Sequence, residues 1–149
     1  MKTCRDAGTS GDAGNSSGKH YPIMANIRSF RELEVYEAAM DGAMEIFERT
    51  KEFPKEETYS MVDQMRRSSR SICANIAEVW RRRRSANYFA SKLGDAESEA
   101  EETRVWIALA YRCEYFDADT GKDLDEQYDQ LIGQLVQMRS NADDWILRT

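Results

Sequence analysis

Residues 89–110 read FASKLGDAESEAEETRVWIALA. Phe89, Leu93, Ala96, Ala100, Thr103, Ile107 and Ala110 recur at alternating steps of four and three, which gathers them on one face of a long helix. That seven-residue repeat favours left-handed, nearly parallel packing against neighbouring helices. Ala96, Ala100, Thr103 and Ala110 are small, so this helix can approach a neighbour closely. Downstream, Leu124, Tyr128, Leu131, Leu135, Met138, Ala142 and Trp145 repeat the pattern. DADTG at 117–121 is expected to supply the turn between the two.

Two further helices precede this pair. The first is expected from about Ser29 to Lys51, with Phe30, Leu33, Tyr36, Met40, Met44 and Phe47 as its apolar face. Ser29 and Glu32 have capping-box spacing at its start. KEFPKEE at 51–57 breaks the pattern. Pro54 suits the first turn of a second helix, and Glu56 and Glu57 suit its positive end. The apolar positions of that second helix are Tyr59, Val62, Met65, Ser69, Ile72, Ile76 and Val79 or Trp80.

Residues 1–23, MKTCRDAGTSGDAGNSSGKHYPI, hold almost nothing that a core could use and predict disorder. The chain therefore divides into a disordered N-terminal tail, 1–28, and an all-α, antiparallel up-down four-helix bundle, 29–149. A length of 149 residues suits one domain with a real core. No apolar run approaches the ~18 residues of a membrane span, and no secretory leader is apparent, so no membrane and a cytoplasmic setting are expected.

The chemistry-bearing residues exclude more than they suggest. Di-iron bundles need inward Glu residues and Glu-x-x-His pairs, and the single histidine, His20, falls in the tail. Cys4, Cys73 and Cys113 form no CxxC pair, and Cys73 and Cys113 read as buried free thiols in helices. No phosphate loop or nucleophile–base set is present. No cofactor, no metal and no catalysis are expected.

What remains is charge. The net charge of −6 conceals +5 over residues 54–94 and −9 over residues 95–149, a polarity suited to self-association or internal pairing. In QMRRSSRSICANIAE at 64–78, Arg66 and Arg70 are one turn apart beside the apolar stripe, and Arg67 follows Asp63 by one turn and can pair with it. Asn75 and Glu78 flank the seam. They are expected in a structural polar layer, with Asn75 bonded to Arg66 or to a carboxylate of the third helix. Arg81, Arg82, Arg83 and Arg84 follow directly. Successive helical residues are about 100° apart, so the four cannot face one groove together. Arg81 lies eleven residues after Arg70 and can share its face. The run is expected to pair with the acidic later helices, in the same subunit or the next, with Trp80 packed at its base.

SFRELEVYEAA at 29–39 and TKEFPKEETYSMVDQMRRSSRSICANIAE at 50–78 resemble the four-helix bundle proteins named for an intervening sequence in 23S ribosomal RNA genes. SKLGDAESEAEET and YDQLIGQLVQM are similar to one branch of that family. The family motif falls here on Phe53, Pro54, Arg66, Arg67, Ser71, Asn75, Ile76, Ala77 and Glu78. The resemblance implies four antiparallel helices, often a homopentameric ring, and no established enzymatic activity. A related branch, the accessory variability proteins of diversity-generating retroelements, binds a reverse transcriptase and nucleic acid. Many relatives carry glycine after the Ala-Glu pair and again shortly after. Here Val79 and Arg81 stand in those places, so the second helix is expected to run through Trp80 into the arginines.

The leading expectation is a non-enzymatic, self-assembling scaffold or adaptor, a homopentamer whose partner is itself. The alternative is an RNA-binding or ribonucleoprotein accessory, contacting RNA or a nucleic-acid-processing protein through Arg66, Arg67, Arg70 and Arg81 to Arg84. The same arginines serve as inter-subunit contacts in the first reading.

Overall fold

The computed structural model describes residues 26–147. His20, Cys4 and the expected tail up to residue 25 lie outside the described residues. Four helices follow in order: α1 (Glu34–Thr50), α2 (Met61–Arg81), α3 (Ala86–Arg112) and α4 (Ala118–Ser140). Single 3₁₀ turns at Phe30–Glu32, Lys55–Glu57 and Ala142–Asp144 lead in, connect and close.

The contacts give the topology. Ser68 of α2 meets Thr103 of α3, while Glu78 further along α2 meets Lys92 nearer the start of α3. Arg139 of α4 meets Glu97 of α3, and Asp125 meets Arg104. Gly42 of α1 meets Tyr128 of α4, and the start of α1 lies beside Gln137 and Met138. As the number rises on one helix it falls on the next, so each such pair is antiparallel. Contacts of α2 with α3, α3 with α4, α1 with α2 and, more sparingly, α1 with α4 close the ring.

All seven stripe residues of α3 are buried, as are Gly121, Leu124, Tyr128, Leu131, Leu135 and Met138 of α4. On α2, Val62, Met65, Ser69, Ile72, Ile76, Val79 and Trp80 face the core, but Tyr59 precedes the helix and is 95% exposed. Ile27 and Trp145 pack half-buried against the core at one end.

Helix α1 departs from its expected face. It buries Val35, Ala39, Gly42, Ile46 and Thr50, whereas Met40 is 39% and Met44 51% exposed. Large apolar side chains suggested the stripe, but the space beside α4 is taken by Tyr128, and only a helix without a side chain at position 42 fits there. A Cβ on Gly42 would stand 2.7 Å from the Tyr128 hydroxyl and 3.0 Å from its ring carbon Cζ. The start of the helix also shifts. Glu32 accepts from the backbone N–H of Arg28 at 2.6 Å rather than from Ser29, and Ser29 caps the 3₁₀ turn.

The connections obey local chemistry. Pro54 stands just outside the Lys55–Glu57 turn, and the Glu57 carboxylate accepts from the N–H of Met61 at 3.2 Å, which caps α2. Asp117 caps α4 by accepting from Thr120 N–H at 2.7 Å, so DADTG begins a helix instead of making the turn. The reversal after α3 comes earlier. Glu114 has φ 63°, its N–H bonds Tyr111 O, and the next N–H, of Tyr115, bonds Ala110 O, a Schellman closure without glycine. Phe53 packs at 5.1 Å on both Tyr115 and Phe116 and closes this end.

Gly42→Ala is expected to destabilise the fold by about 1–3 kcal/mol through overpacking. Tyr128→Phe removes a buried hydroxyl that has no hydrogen-bond partner, so it should be at least as stable as the parent. In the Phe background, Gly42→Ala should cost much less. Urea denaturation of the four proteins tests this; an equal cost in both backgrounds would contradict the contact.

Candidate functional site

The basic residues of α2 and its exit serve separate purposes. Arg66 is half-buried, and its Nε donates to Thr50 Oγ1 at 3.0 Å. One terminal nitrogen donates to the Phe47 carbonyl at 3.3 Å, and the guanidinium lies 4.7 Å above the Phe47 ring. These acceptors end α1, where the helix dipole favours a cation. Arg66 therefore caps α1.

Arg67 crosses to α3, bonded to Glu102 with Glu99 at 3.5 Å. Asp63 is not its partner among the described residues. Asp63 lies on the solvent side, whereas the α3 carboxylates are partly desolvated and reward a cation more. Burial pushes the Glu99 carboxyl above its usual range, the charge of Glu102 adds to this, and Arg67 opposes it. Burial also acts on Glu102, but donation from Arg67 and Trp106 outweighs it and holds that carboxyl low. The pair shares its protons unequally.

Asn75 is buried, as expected, but its amide donates to Ser71 Oγ at 3.3 Å, one turn back on the same helix. Arg66 and the α3 carboxylates are engaged elsewhere. Glu78 is exposed and pairs with Lys92. These two residues form no joint layer. The buried polar contact of the bundle is Thr103 Oγ1 to Ser68 Oγ at 2.9 Å, with Thr103 also bonded to Glu99 O at 2.8 Å. Ser68 lies one position beside the stripe residue Ser69.

Without glycine, α2 continues through buried Trp80 to Arg81, and residues 82–84 turn with no left-handed backbone. Ser85 then caps α3 by accepting from Tyr88 N–H. Arg83 lies flat on Trp80, 3.4 Å from the ring centroid, and its Nε donates to Trp80 O at 2.7 Å. Its carbonyl accepts from Leu147 N–H at 2.8 Å and so ties the C-terminal segment to the elbow. Burial and the neighbouring Arg81 charge lower its pKa. Arg82 sits 5.9 Å from the Tyr88 ring. Arg70, Arg81 and Arg84 are exposed and have no ion-pair partner among the described residues, so the expected pairing with the acidic helices is not made within the chain.

Cys73 is half-buried, and burial raises its thiol to about 11, which disfavours the reactive thiolate. Cys113 is exposed at the end of α3, not buried as its helical pattern suggests. Among the described residues no group of three or more His, Cys, Asp or Glu is placed to hold a metal ion, and no helix is long and apolar enough to cross a membrane. A cleft of about 470 Å³ lies between the start of α1 and the end of α4, walled by Leu33, Val35, Met138 and Trp145.

The profile of the 23S rRNA-intervening sequence protein family matches residues 31–137. A crystal structure from Bacteroides thetaiotaomicron, of a protein of unknown function from the S23 ribosomal protein family, is similar to the chain. The two share 26% identity over 72% of this chain and 99% of that one, with a TM-score of 0.64. No curated protein matches.

Arg83→Ala is expected to cost about 1–2 kcal/mol through the lost stacking and hydrogen bond. Arg84→Ala should change stability by less than about 0.5 kcal/mol. Thermal unfolding compares the two, and equal effects would contradict the assigned roles. The carboxyl pair gives a pH signature. Glu99→Gln should stabilise near neutral pH, because the charged form of Glu99 is disfavoured in the fold. That gain should fade as acid protonates Glu99 in the parent. Glu102→Gln should destabilise near neutral pH, and its deficit should shrink as the pH falls through the lowered pKa of Glu102, where the parent loses the same charge. Urea titrations across pH read both signs.

Proposed function

Since the chain belongs to the 23S rRNA-intervening sequence protein family, we propose that it acts without enzymatic chemistry, as a self-assembling four-helix scaffold or adaptor in the cytoplasm. The observation that carries this reading is the second apolar face of α1. Tyr36, Met40, Met44 and Phe47 repeat at helical spacing, yet a different set, Val35, Ala39, Gly42, Ile46 and Thr50, fills the core. At 100° per residue the two faces are centred about 120° apart. One organises the subunit; of the other, Met40 and Met44 are exposed and left for a like subunit, while Tyr36 packs half-buried on Phe30 and the core and Phe47 lies under Arg66.

Charge supports the same reading. Glu34, Glu37, Asp41 and Glu48 flank the outward stripe, while Arg70, Arg81 and Arg84 stand outward on α2 and its exit. A monomer gains little from such polarity, whereas an assembly of identical copies can neutralise it. Five subunits is the number that the family resemblance implies. The alternative, an RNA-binding accessory, is favoured by the same unpartnered Arg70, Arg81 and Arg84, but Arg66, Arg67 and Arg83 are committed to internal contacts. With Arg82, the four exposed cations still give a small phosphate footprint and a shallow salt dependence.

Light scattering at micromolar concentration is expected to give a closed species several times 17.2 kDa. Met40→Glu with Met44→Glu should reduce it to the mass of one chain with helicity unchanged, since both side chains are exposed within the subunit. A parent that is already monomeric refutes the proposal. Tight RNA binding that falls steeply with salt would replace it with the accessory reading.

A further inference from the structure

We infer that the outward stripe of α1 seats on the outward face of α2 in the next copy, so that the contact is head-to-tail between unlike faces of one chain. The inference rests on the self-assembly reading and names which surfaces meet. Three observations on the two helices lead to it.

The first is chemical. Along α2 the outward residues are Arg70, Ala74, Ala77 and Arg81, a low alanine floor with a cation at each end. Arg70 and Arg81 are eleven residues apart, about 16 Å along the axis and within about 20° around it. Along α1, Met40 and Met44 stand up from the surface with Glu34, Glu37 and Asp41 along one side. Protruding flexible thioethers over a floor of methyl groups, edged by opposite charges, are complementary in shape and in sign.

The second is the height of each residue. Arg66 of α2 reaches Phe47 and Thr50 of α1 in the same subunit. Counting away from that level along antiparallel helices places Ala74 about level with Met40, and Arg70 about level with Met44. Arg81 then falls near Glu34, one turn from Glu37. Rotation about an axis along the bundle keeps every copy at the same height and direction. The α1 of one copy therefore meets the α2 of the next antiparallel and in that register. Met40 rests on Ala74, Met44 lies along the stem of Arg70 with Asp41 a turn away, and Arg81 reaches Glu34 and Glu37.

The third is availability. The side chains of Arg70, Arg81, Glu37 and Asp41 have no hydrogen-bond or ion-pair partner among the described residues, whereas that of Glu78, off the stripe, is held by Lys92. The groups needed between copies are those not used within one. An α1-to-α1 contact would instead set Glu37 and Asp41 against like charges. Contacts between unlike faces repeat around a ring, and they need no even number of subunits.

Charge reversal on each face tests the mating. Arg70→Glu with Arg81→Glu, and separately Glu37→Arg with Asp41→Arg, should each weaken assembly about tenfold or more in dissociation constant. Combining all four changes in one chain should restore the parent's mass by light scattering, because both faces then carry inverted but matching charge. All four positions are exposed, and circular dichroism checks that each variant keeps its helices. If the parent assembles but either double variant keeps its full mass, this mating is wrong and self-assembly stands. If the fourfold variant stays dissociated, the pairing of α1 with α2 is likewise refuted. If Arg70→Glu with Arg81→Glu leaves the mass intact and abolishes retention on single-stranded RNA, the α2 face belongs to RNA and the inference falls.

Discussion

Two hydroxyl groups, those of Ser68 on α2 and Thr103 on α3, meet 2.9 Å apart where both residues are wholly buried. Around them Ser69, Ala96 and Ala100 keep the two backbones close. Small side chains permit that approach but offer few knobs to lock one helix against the other, so a sliding pair would lose little apolar contact. The directional hydroxyl contact removes this freedom. Displaced by a turn, the pair would lose this one bond between the helices, worth about 0.5–1.5 kcal/mol, while Thr103 Oγ1 keeps Glu99 O and Ser68 Oγ keeps Met65 O within their own helices. The surface pairs Arg67–Glu102 and Glu78–Lys92 agree with the same register, though exposed ion pairs contribute little individually. With α2 and α3 set, α4 fills the other side of α3, and α1 closes the ring through Arg66 and through Gly42 against Tyr128.

That order explains how far the fold is readable from sequence. The stripes of α3 and α4 are legible because each helix buries large and small residues at strict heptad spacing, although Val105, Leu109 and Tyr111 of α3 stay exposed beside its stripe. Helix α1 carries two apolar sets. Its large members, Met40 and Met44, look like the core, while the true core face includes Ala39, Gly42 and Thr50. Only the bulk of Tyr128, 86 residues beyond Gly42, decides between them, and spacing within α1 holds no record of it. Turn chemistry misleads in the same manner. Gly121 marks the expected reversal, but it lies inside α4, buried against Tyr111, and the reversal falls on Glu114.

The basic residues show the same division between neighbours in sequence and neighbours in space. Arg66 and Arg67 are adjacent, yet one ends α1 and the other bridges to α3, because successive helical positions point about 100° apart. Within the run of four, only Arg83 folds back, and its planar guanidinium suits the indole of Trp80 as an ammonium would not. The absence of glycine after Glu78 was the readable signal, since it predicts that α2 persists and delivers Trp80 to the elbow. Which arginine would lie on that ring depends on residues 82–84 turning, a feature no periodicity encodes.

The phenol of Tyr128 has a consequence for how this protein meets alkali. Its hydroxyl is buried with no hydrogen-bond partner, and burial drives its pKa upward, so it stays neutral inside the bundle. In an opened chain the same phenol ionises near about pH 10. Protons therefore leave Tyr128 only after the helices part, and the open state gains stability over the closed one with each further rise in pH. The ultraviolet absorbance of tyrosinate from Tyr128 would then appear only as α1 parts from α4, without any added dye or label.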